Sequence, residues 1–253
     1  MFNLKLSSET TKILSALANI NQYVCLKKNV PYITLFNDNY TIKAKANITE
    51  TPPETIAFSL QKFLGMIQLM SKEPEYVNIS YDDKQIRFSV PNSETSLKTE
   101  TMLVPINHFN IKFFEDVDFK CTTENKVFSL NFTNEMLKKI KQASNVLNMG
   151  TLLFNFTNSS SPTLVLSDAT FTDNKTSDEF TIFLEEVSQN MEELVALNVV
   201  NLTKIVSGDY QVSCYYVGTY RKGDPANKFL MHFVPEAATT PKIEYYMSTI
   251  FKK

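Results

Sequence analysis

Glycine is scarce, with 5 in 253 residues. Loops that cradle a phosphate need glycine so that backbone amides can approach the ligand closely. Neither G-x-G-x-x-G nor G-x-x-x-x-G-K-[ST] occurs in the chain. Histidine occurs only twice, as His108 and His232, which leaves little for imidazole-based acid–base or metal chemistry. The three cysteines, Cys25, Cys121 and Cys214, are odd in number, far apart and without metal-ligand spacing. They exclude a disulfide framework and point to a reducing cytoplasm, that of a host cell if the chain is viral. Long apolar runs are absent too: none nears the roughly 18 residues of a membrane span. The opening Met1-Phe2-Asn3-Leu4-Lys5 lacks the basic-then-apolar pattern of a secretion signal, so triplets such as Asn47-Ile48-Thr49 read as compositional accidents. The acidic pairs Asp82-Asp83, Glu185-Glu186 and Glu192-Glu193 sit in strand-like or turn-like surroundings. Neighbours in a strand point to opposite faces, so the pairs read as turn and surface residues. No metal, cofactor or catalytic residue is expected, and the chain reads as a non-enzyme.

What is present is a core and a pattern. Apolar residues make up 43% of the chain and charged residues 21%, enough to bury a core and too little charge for global disorder. The net charge is −2. β-Branched and aromatic clusters predict strands at 23–28, 31–36, 41–48, 55–59, 76–82, 85–90, 152–157, 163–167, 179–187, 194–198, 210–217, 228–234 and 243–249. Apolar residues at helical spacing predict helices at 8–19, 60–70, 134–148 and 199–206. On the first, Thr10, Ile13, Leu14 and Leu17 share one face, with Ser8, Lys12, Ser15 and Asn19 opposite. On the third, Met136, Leu137, Ile140, Ala143, Ser144 and Leu147 share a face. Lys138, Lys141, Gln142 and Asn145 form the other, with Lys139 on the flank. Ser7 or Ser8 and Thr133 are the expected N-caps, and Gly150 and Gly208 the expected stops.

The helices come in pairs. Leu6–Ile20 aligns without gaps on Phe132–Val146, setting Ser7 against Thr133, Glu9 against Glu135, Lys12 against Lys138 and Asn19 against Asn145. Ala57-Phe58-Ser59-Leu60 aligns on Ala196-Leu197-Asn198-Val199. The strand pattern breaks between them around Pro105 and Asn107. This implies an α+β chain of two similar β-rich domains, 1–108 and 109–253, each with two helices.

Three stretches carry a family resemblance. They are Lys5-Leu6-Ser7-Ser8-Glu9-Thr10-Thr11-Lys12-Ile13-Leu14, then Ser59-Leu60-Gln61-Lys62-Phe63-Leu64-Gly65-Met66-Ile67, then Leu197-Asn198-Val199-Val200-Asn201-Leu202-Thr203-Lys204-Ile205. In order and content they are similar to the DNA polymerase sliding clamps (processivity factors) of the T-even phage type, which are related in fold to proliferating cell nuclear antigen. The resemblance implies a duplicated sliding-clamp fold with the helices lining a ring. It also implies a homotrimer around sequence-nonspecific double-stranded DNA, and partners that include the replicative DNA polymerase and the clamp loader. A role in phage late transcription comes with the same relatives. The ring-closing edges would fall near 95–101 and 178–187. A clamp must hold DNA without reading it, and lysine gives mobile contacts to phosphates without a geometry-fixing fork. Lys12, Lys62, Lys138, Lys139, Lys141 and Lys204, with Asn19 and Asn145, are therefore the expected DNA contacts. By the same resemblance, partner peptides would dock beside the connector residues Leu103, Val104, Pro105 and Ile106 and the C-terminal Tyr245, Tyr246, Ile250 and Phe251. Two plainer readings stand beside this one. Lysine-bearing helix faces are common as solvated faces, and two duplicated β-rich domains also suit a structural virion or tail β-sandwich protein.

Overall fold

The computed structural model describes residues 2–71, 74–82, 85–91, 96–99, 119, 121–157, 161–168, 179–184, 194–219 and 227–250. It contains two compact units. Each runs strand, helix, four strands, helix, three strands. The expected domain boundary at 108/109 lies outside the described residues.

In the first unit, β1 (Phe2–Ser7) passes directly into α1 (Ser8–Leu17). Then come β2 (Tyr23–Leu26), β3 (Tyr32–Phe36), β4 (Ile42–Asn47) and β5 (Ile56–Ser59). β5 passes directly into α2 (Leu60–Met70), followed by β6 (Tyr76–Asp82), β7 (Gln85–Ser89) and β8 (Ser96–Thr99). An antiparallel sheet has the order β1-β6-β7-β8, with Leu4 opposite Ile79. β2 pairs with β5, and β3 with β4. The β3–β4 turn is built by Asn37, whose Oδ1 accepts bonds from the amides of Thr41 and Ile42. Tyr40 takes the left-handed conformation there, at φ 55°. α2 packs through an aromatic seam: Phe63 lies 5.1 Å from Phe58 of β5 and 5.3 Å from Phe88 of β7.

The second unit repeats this. β9 (Lys126–Phe132) leads through Thr133 into α3 (Asn134–Leu147). Then come β10 (Thr151–Asn155), β11 (Thr163–Ser167), β12 (Glu179–Phe183) and β13 (Val195–Asn198). β13 passes directly into α4 (Val199–Thr203), followed by β14 (Tyr210–Thr219), β15 (Asn227–Pro235) and β16 (Glu244–Ser248). One sheet has β12-β11-β10-β13 in order. In the other layer β9 pairs with β14, β14 with β15 and β15 with β16. The core between them includes Phe128, Phe132, Phe154, Phe156, Tyr210, Phe233 and Tyr245, all 1% exposed or less.

The caps follow the internal repeat. Ser7 Oγ accepts from the Thr10 amide, and Thr133 Oγ1 from the Met136 amide, 126 positions later. Ser59 caps α2 and Asn198 caps α4 in the same way. α1 and α3 also carry a carboxylate from elsewhere at the N-terminus, where the helix dipole favours negative charge. Glu50 accepts from the Ser7 amide and the Thr10 hydroxyl. Asp209 Oδ1 accepts from the Asn134 amide at 2.7 Å.

Three helix ends differ from expectation. α1 ends at Leu17, two residues short of 19, with Ala18 as its C-cap. α3 stops because Asn148 turns left-handed (φ 53°), its amide bonding the Ser144 carbonyl; Gly150 plays no part in the stop. α4 has 5 residues rather than the eight expected. The chain after it is drawn into a turn by distant groups. Lys141 Nζ donates to the Ile205 carbonyl, the Tyr210 hydroxyl donates to the Val206 carbonyl, and the Val206 amide donates to the Tyr245 hydroxyl. Thr239 Oγ1 both donates to the Asp209 carbonyl and accepts its amide. Gly208 serves this turn by lacking a side chain: a Cβ there would fall 2.3 Å from Thr239 Cγ2.

Gly208→Ala is expected to destabilise the chain by about 1–3 kcal/mol, since Thr239 is held by its bonds and has no room to retreat. Urea unfolding midpoints measure it. Glu50 supplies a second test. Burial alone raises its carboxyl, but the bonds from Thr10 and Ser7 outweigh that and hold it below the ordinary value. Its contribution is therefore present above the ordinary carboxylate range and is lost as pH falls through the lowered folded-state value. Glu50→Gln is expected to flatten the stability profile across that acidic window and leave the shape above about pH 6 unchanged.

Candidate nucleic-acid interface

α1 buries Thr10, Ile13, Leu14 and Leu17 and exposes Ser8, Glu9, Lys12, Ser15 and, just past its end, Asn19. At 100° per residue, Lys12, Ser15 and Asn19 fall on one outward stripe. α2 buries Leu60, Phe63 and Ile67 and exposes Gln61, Lys62, Gln68 and Leu69. Between the two helices runs a groove of about 400 Å³, lined from α1 by Ser8, Thr11, Lys12 and Ser15 and from α2 by Leu64, Ile67 and Gln68. Pro74 and Glu75 complete it.

α3 buries Leu137 and Ile140 and exposes Lys138, Lys139, Gln142 and Asn145. Lys139 pairs with Glu135 one turn earlier at 2.7 Å, and both are largely exposed. Such pairs contribute little to stability, so the pair leaves Lys139 available to exchange partners. Lys141 departs from the solvent-facing position expected of it. It is half-buried, its ammonium donates to the Ile205 carbonyl at 3.1 Å, and burial lowers its pKa. It ties α3 to the turn after α4. Lys204, half-buried, sits at the C-cap of α4. The four helices carry Lys12, Lys62, Lys138, Lys139 and Lys141 against only Glu9 and Glu135. In a chain of net charge −2, the negative surplus therefore lies off the helices.

The expected partner-binding residues separate. Leu103, Val104, Pro105, Ile106 and Phe251 lie outside the described residues, as do His108 and the pairs Glu185-Glu186 and Glu192-Glu193. Tyr245 is fully buried, its hydroxyl on the Val206 amide, so it is corrected to a core residue. Tyr246, the next residue of β16, points the other way. It is half-buried, lies 4.1 Å from the His232 ring in a parallel stack, and donates to Glu244. Glu244 also faces His232 Nε2 at 3.0 Å. This cluster was missed in the sequence because His232 lies 12 positions from Glu244 and comes from a different strand. The signal was the β15–β16 pairing, which sets His232 opposite Tyr246. Ile250, half-buried, bridges to Ala196 of β13. Cys25 and Cys214 are buried, and burial pushes the Cys25 thiol up to about 11. Among the described residues no group of three His, Cys, Asp or Glu side chains is placed to hold a metal, and no helix is long and apolar enough to cross a membrane.

Lys141→Met should lower stability by about 1–3 kcal/mol, because it leaves the Ile205 carbonyl without its charged donor. Lys138→Met should stay within about 0.5 kcal/mol, as exposed substitutions do. Thermal or urea unfolding of the two variants separates a strut from a surface charge.

The sequence matches no protein-family model and no curated relative. Solved structures do match in fold. Proliferating cellular nuclear antigen from Entamoeba histolytica superposes with a TM-score of 0.63 at 13% identity, covering 99% of both chains. A. fulgidus PCNA, solved with the C-terminal region of FEN-1, gives 0.63 at 11% identity over 100% of both chains. The Helicobacter pylori beta clamp, solved with a DNA ligase peptide, gives 0.60 at 13% identity, covering 98% of this chain and 66% of that one. From end to end, the chain has the sliding-clamp fold.

Proposed function

We propose that the chain is a sliding clamp. It would encircle duplex DNA without sequence preference, tether the replicative DNA polymerase for processive synthesis, and carry out no catalysis itself. The observation that carries this is the clamp fold over the whole chain, combined with a lysine excess on the four helices of an otherwise slightly acidic protein. A free-standing DNA binder is usually basic overall. A ring needs positive charge only where the phosphates pass, because topology rather than affinity retains it. Lys12, Asn19, Lys62, Lys138, Lys139, Asn145 and Lys204 are its proposed phosphate contacts. The virion-protein reading leaves the lysines of α1 and α3 without a role.

Two clamp domains per chain, 1–108 and 109–253, imply a homotrimer of pseudo-sixfold symmetry. A head-to-tail ring uses two different edges of each subunit. β8 and β12 end their sheets, and β12 carries Phe183 at 76% exposure. Val146 on α3, which packs on the neighbouring β11, is 82% exposed, and Leu69 on α2 is 81% exposed. Exposed apolar side chains of this size at a sheet edge and on two helices support burial by a second copy. The T-even phage type is the reading within the fold that the three sequence stretches favour. With it come a clamp loader as partner, a cytoplasmic setting in the host cell and a further role in late transcription. Two of the solved clamps carry bound peptides, which supports an outer docking site for partner tails. The residues proposed for it are the connector 103–106, Tyr246, Ile250 and Phe251.

Light scattering over a dilution series is expected to give a mass near three times 28.9 kDa. A monomer at every concentration counts against self-closure. Phe183→Asp should weaken association roughly 10–100-fold, the loss of one buried aromatic. Lys12→Glu with Lys138→Glu should abolish clamp-stimulated DNA synthesis at unchanged mass; an effect on assembly alone would favour a structural protein.

A further inference from the structure

The sheet β1-β6-β7-β8 of the first unit has one apolar face, made by Leu4, Leu6, Val77, Ile79, Ile86 and Phe88, all buried. Side chains alternate along a strand, so the opposite face belongs to Asn3, Lys5, Asn78, Ser80, Arg87 and Ser89. The register lays these out in two rows. Asn3, Ser80 and Arg87 stand side by side across β1, β6 and β7, and Lys5, Asn78 and Ser89 form the next row. Lys5 and Arg87 are exposed at diagonal corners, with amide and hydroxyl groups between them. The Lys5 ammonium lies 3.6 Å over the ring of Tyr76, its diagonal neighbour on β6, and is thereby held over the sheet. Among the described residues the ion pairs are Lys139–Glu135 and His232–Glu244, so neither Lys5 nor Arg87 has a carboxylate partner there. By register, Lys98 of β8 stands opposite Arg87, and Asp82 stands at the hairpin end of β6. The repeat gives the comparison. In the second unit Ser129 holds the place of Asn3, Asn131 that of Lys5, Ser213 that of Ser80 and His232 that of Arg87. There the basic residue is answered from the next strand: Glu244 faces His232 Nε2 at 3.0 Å, and the His232 ring stacks on Tyr246. In the first unit the place of Tyr246 is held by Lys98, which adds a basic position where the second unit has a partner.

We propose that this polar sheet face of the first unit is a docking surface for an acidic segment of a partner protein, its carboxylates seated on Lys5 and Arg87. The surface lies off the helices and does not depend on the clamp reading. The donors fit carboxylates. The Arg87 guanidinium offers a fork for a bidentate pair, the Lys5 ammonium a compact charge, and Asn78, Ser80 and Ser89 donors for the remaining oxygens. The spacing fits an extended chain. β1 and β7 are two strand spacings apart, about 10 Å, and the two cations are offset by one same-face step, about 7 Å, along the strands. Their diagonal is then about 12 Å, close to the roughly 13 Å between positions i and i+4 of an extended peptide. A nucleic-acid strand carries the same sign of charge, but surfaces that hold single strands rely on open aromatic faces for the bases to stack on. On this face Lys5 covers the ring of Tyr76, so charge rather than stacking is what the face offers.

Fluorescence anisotropy of the full chain at low salt tests this, with a labelled glutamate–serine peptide as one probe and a labelled oligothymidylate of equal charge as the other. The peptide should bind saturably, and added salt should weaken it. Lys5→Glu and Arg87→Glu should each weaken it several-fold. Arg87→Lys, which keeps the charge and removes the fork, should lose less than Arg87→Glu. Lys126→Glu makes the same change of net charge at an exposed position of the second unit and should leave peptide binding unaltered. An equal loss with Lys126→Glu would overturn the proposal, because overall charge rather than this face would then hold the peptide. Tighter binding of the oligothymidylate, lost with Arg87→Glu, overturns the assignment to an acidic protein segment. Peptide binding that neither Lys5→Glu nor Arg87→Glu changes, or no binding at all, overturns the surface itself. Solution mass reads the clamp proposal separately: a monomer that still binds the peptide through Lys5 and Arg87 sinks the ring and supports this surface.

Discussion

The four helices begin where strands end, with no connecting loop. β1 ends at Ser7 and α1 starts at Ser8; β5 ends at Ser59 and α2 starts at Leu60. In the second unit Thr133 alone separates β9 from α3, and β13 abuts α4. A chain that changes from an extended to a helical path within one residue leaves the first helical amides without partners in the helix. Distant groups meet the first of them: the carbonyls of Glu75, Gln22 and Gly150 accept the amides of Ser8, Leu60 and Val199, and Asp209 Oδ1 accepts that of Asn134. The cap side chain meets a second. Ser7, Ser59, Thr133 and Asn198 each accept one of those amides. The direction of each helix is then inherited from its strand, and so is the placement of every lysine along it. Precision of this kind is what a loop-borne site lacks.

Duplication supplied the frame, and divergence acted on it selectively. Capping positions kept their chemistry while the ground between the helices changed: Thr11 answers to Leu137 and Ser15 to Lys141. α2 runs to 11 residues and α4 to 5. The residues that follow α4 form a turn gripped by Tyr210, Tyr245, Lys141 and Thr239. The first unit therefore holds its second helix through an aromatic seam, and the second holds the shorter α4 through polar bonds to the turn that follows it. Under the proposed function, lysine rather than arginine on these helices would suit contacts that must break as easily as they form.

Much of this was legible in the sequence. α2 was readable to the residue because apolar positions at 60, 63 and 67 follow directly on the apolar strand that ends at Ser59. The paired order of strands and helices followed from the repeat, and the clamp fold from the resemblance carried by the stretches at 5–14, 59–67 and 197–205. What was not legible depends on residues far apart. Nothing near 204–209 announces that Tyr245 and Lys141 will end α4 early. Lys141 shares the polar side of a helical wheel with Lys138, and only the turn behind α4 turns its ammonium inward. Tyr245 and Tyr246 look alike in sequence, but alternation along β16 buries one and brings the other to His232. The α1–α2 groove was invisible for the same reason, since a groove belongs to two helices and a sequence wheel describes one.

The carboxylates at the starts of α1 and α3 bear on how the protein folds. Glu50 is 43 positions from Ser7, and Asp209 is 75 positions from Asn134. A helix whose first turn waits for a partner that distant cannot be completed locally. Closing those long segments costs chain entropy before either bond forms. α1 and α3 should therefore gain their full stability late, after the sheets have brought the two ends together, and refolding should be slow, as expected of a chain built mainly from long-range strand pairing. During synthesis, α3 in particular remains without its anchor until the next 75 residues have left the ribosome.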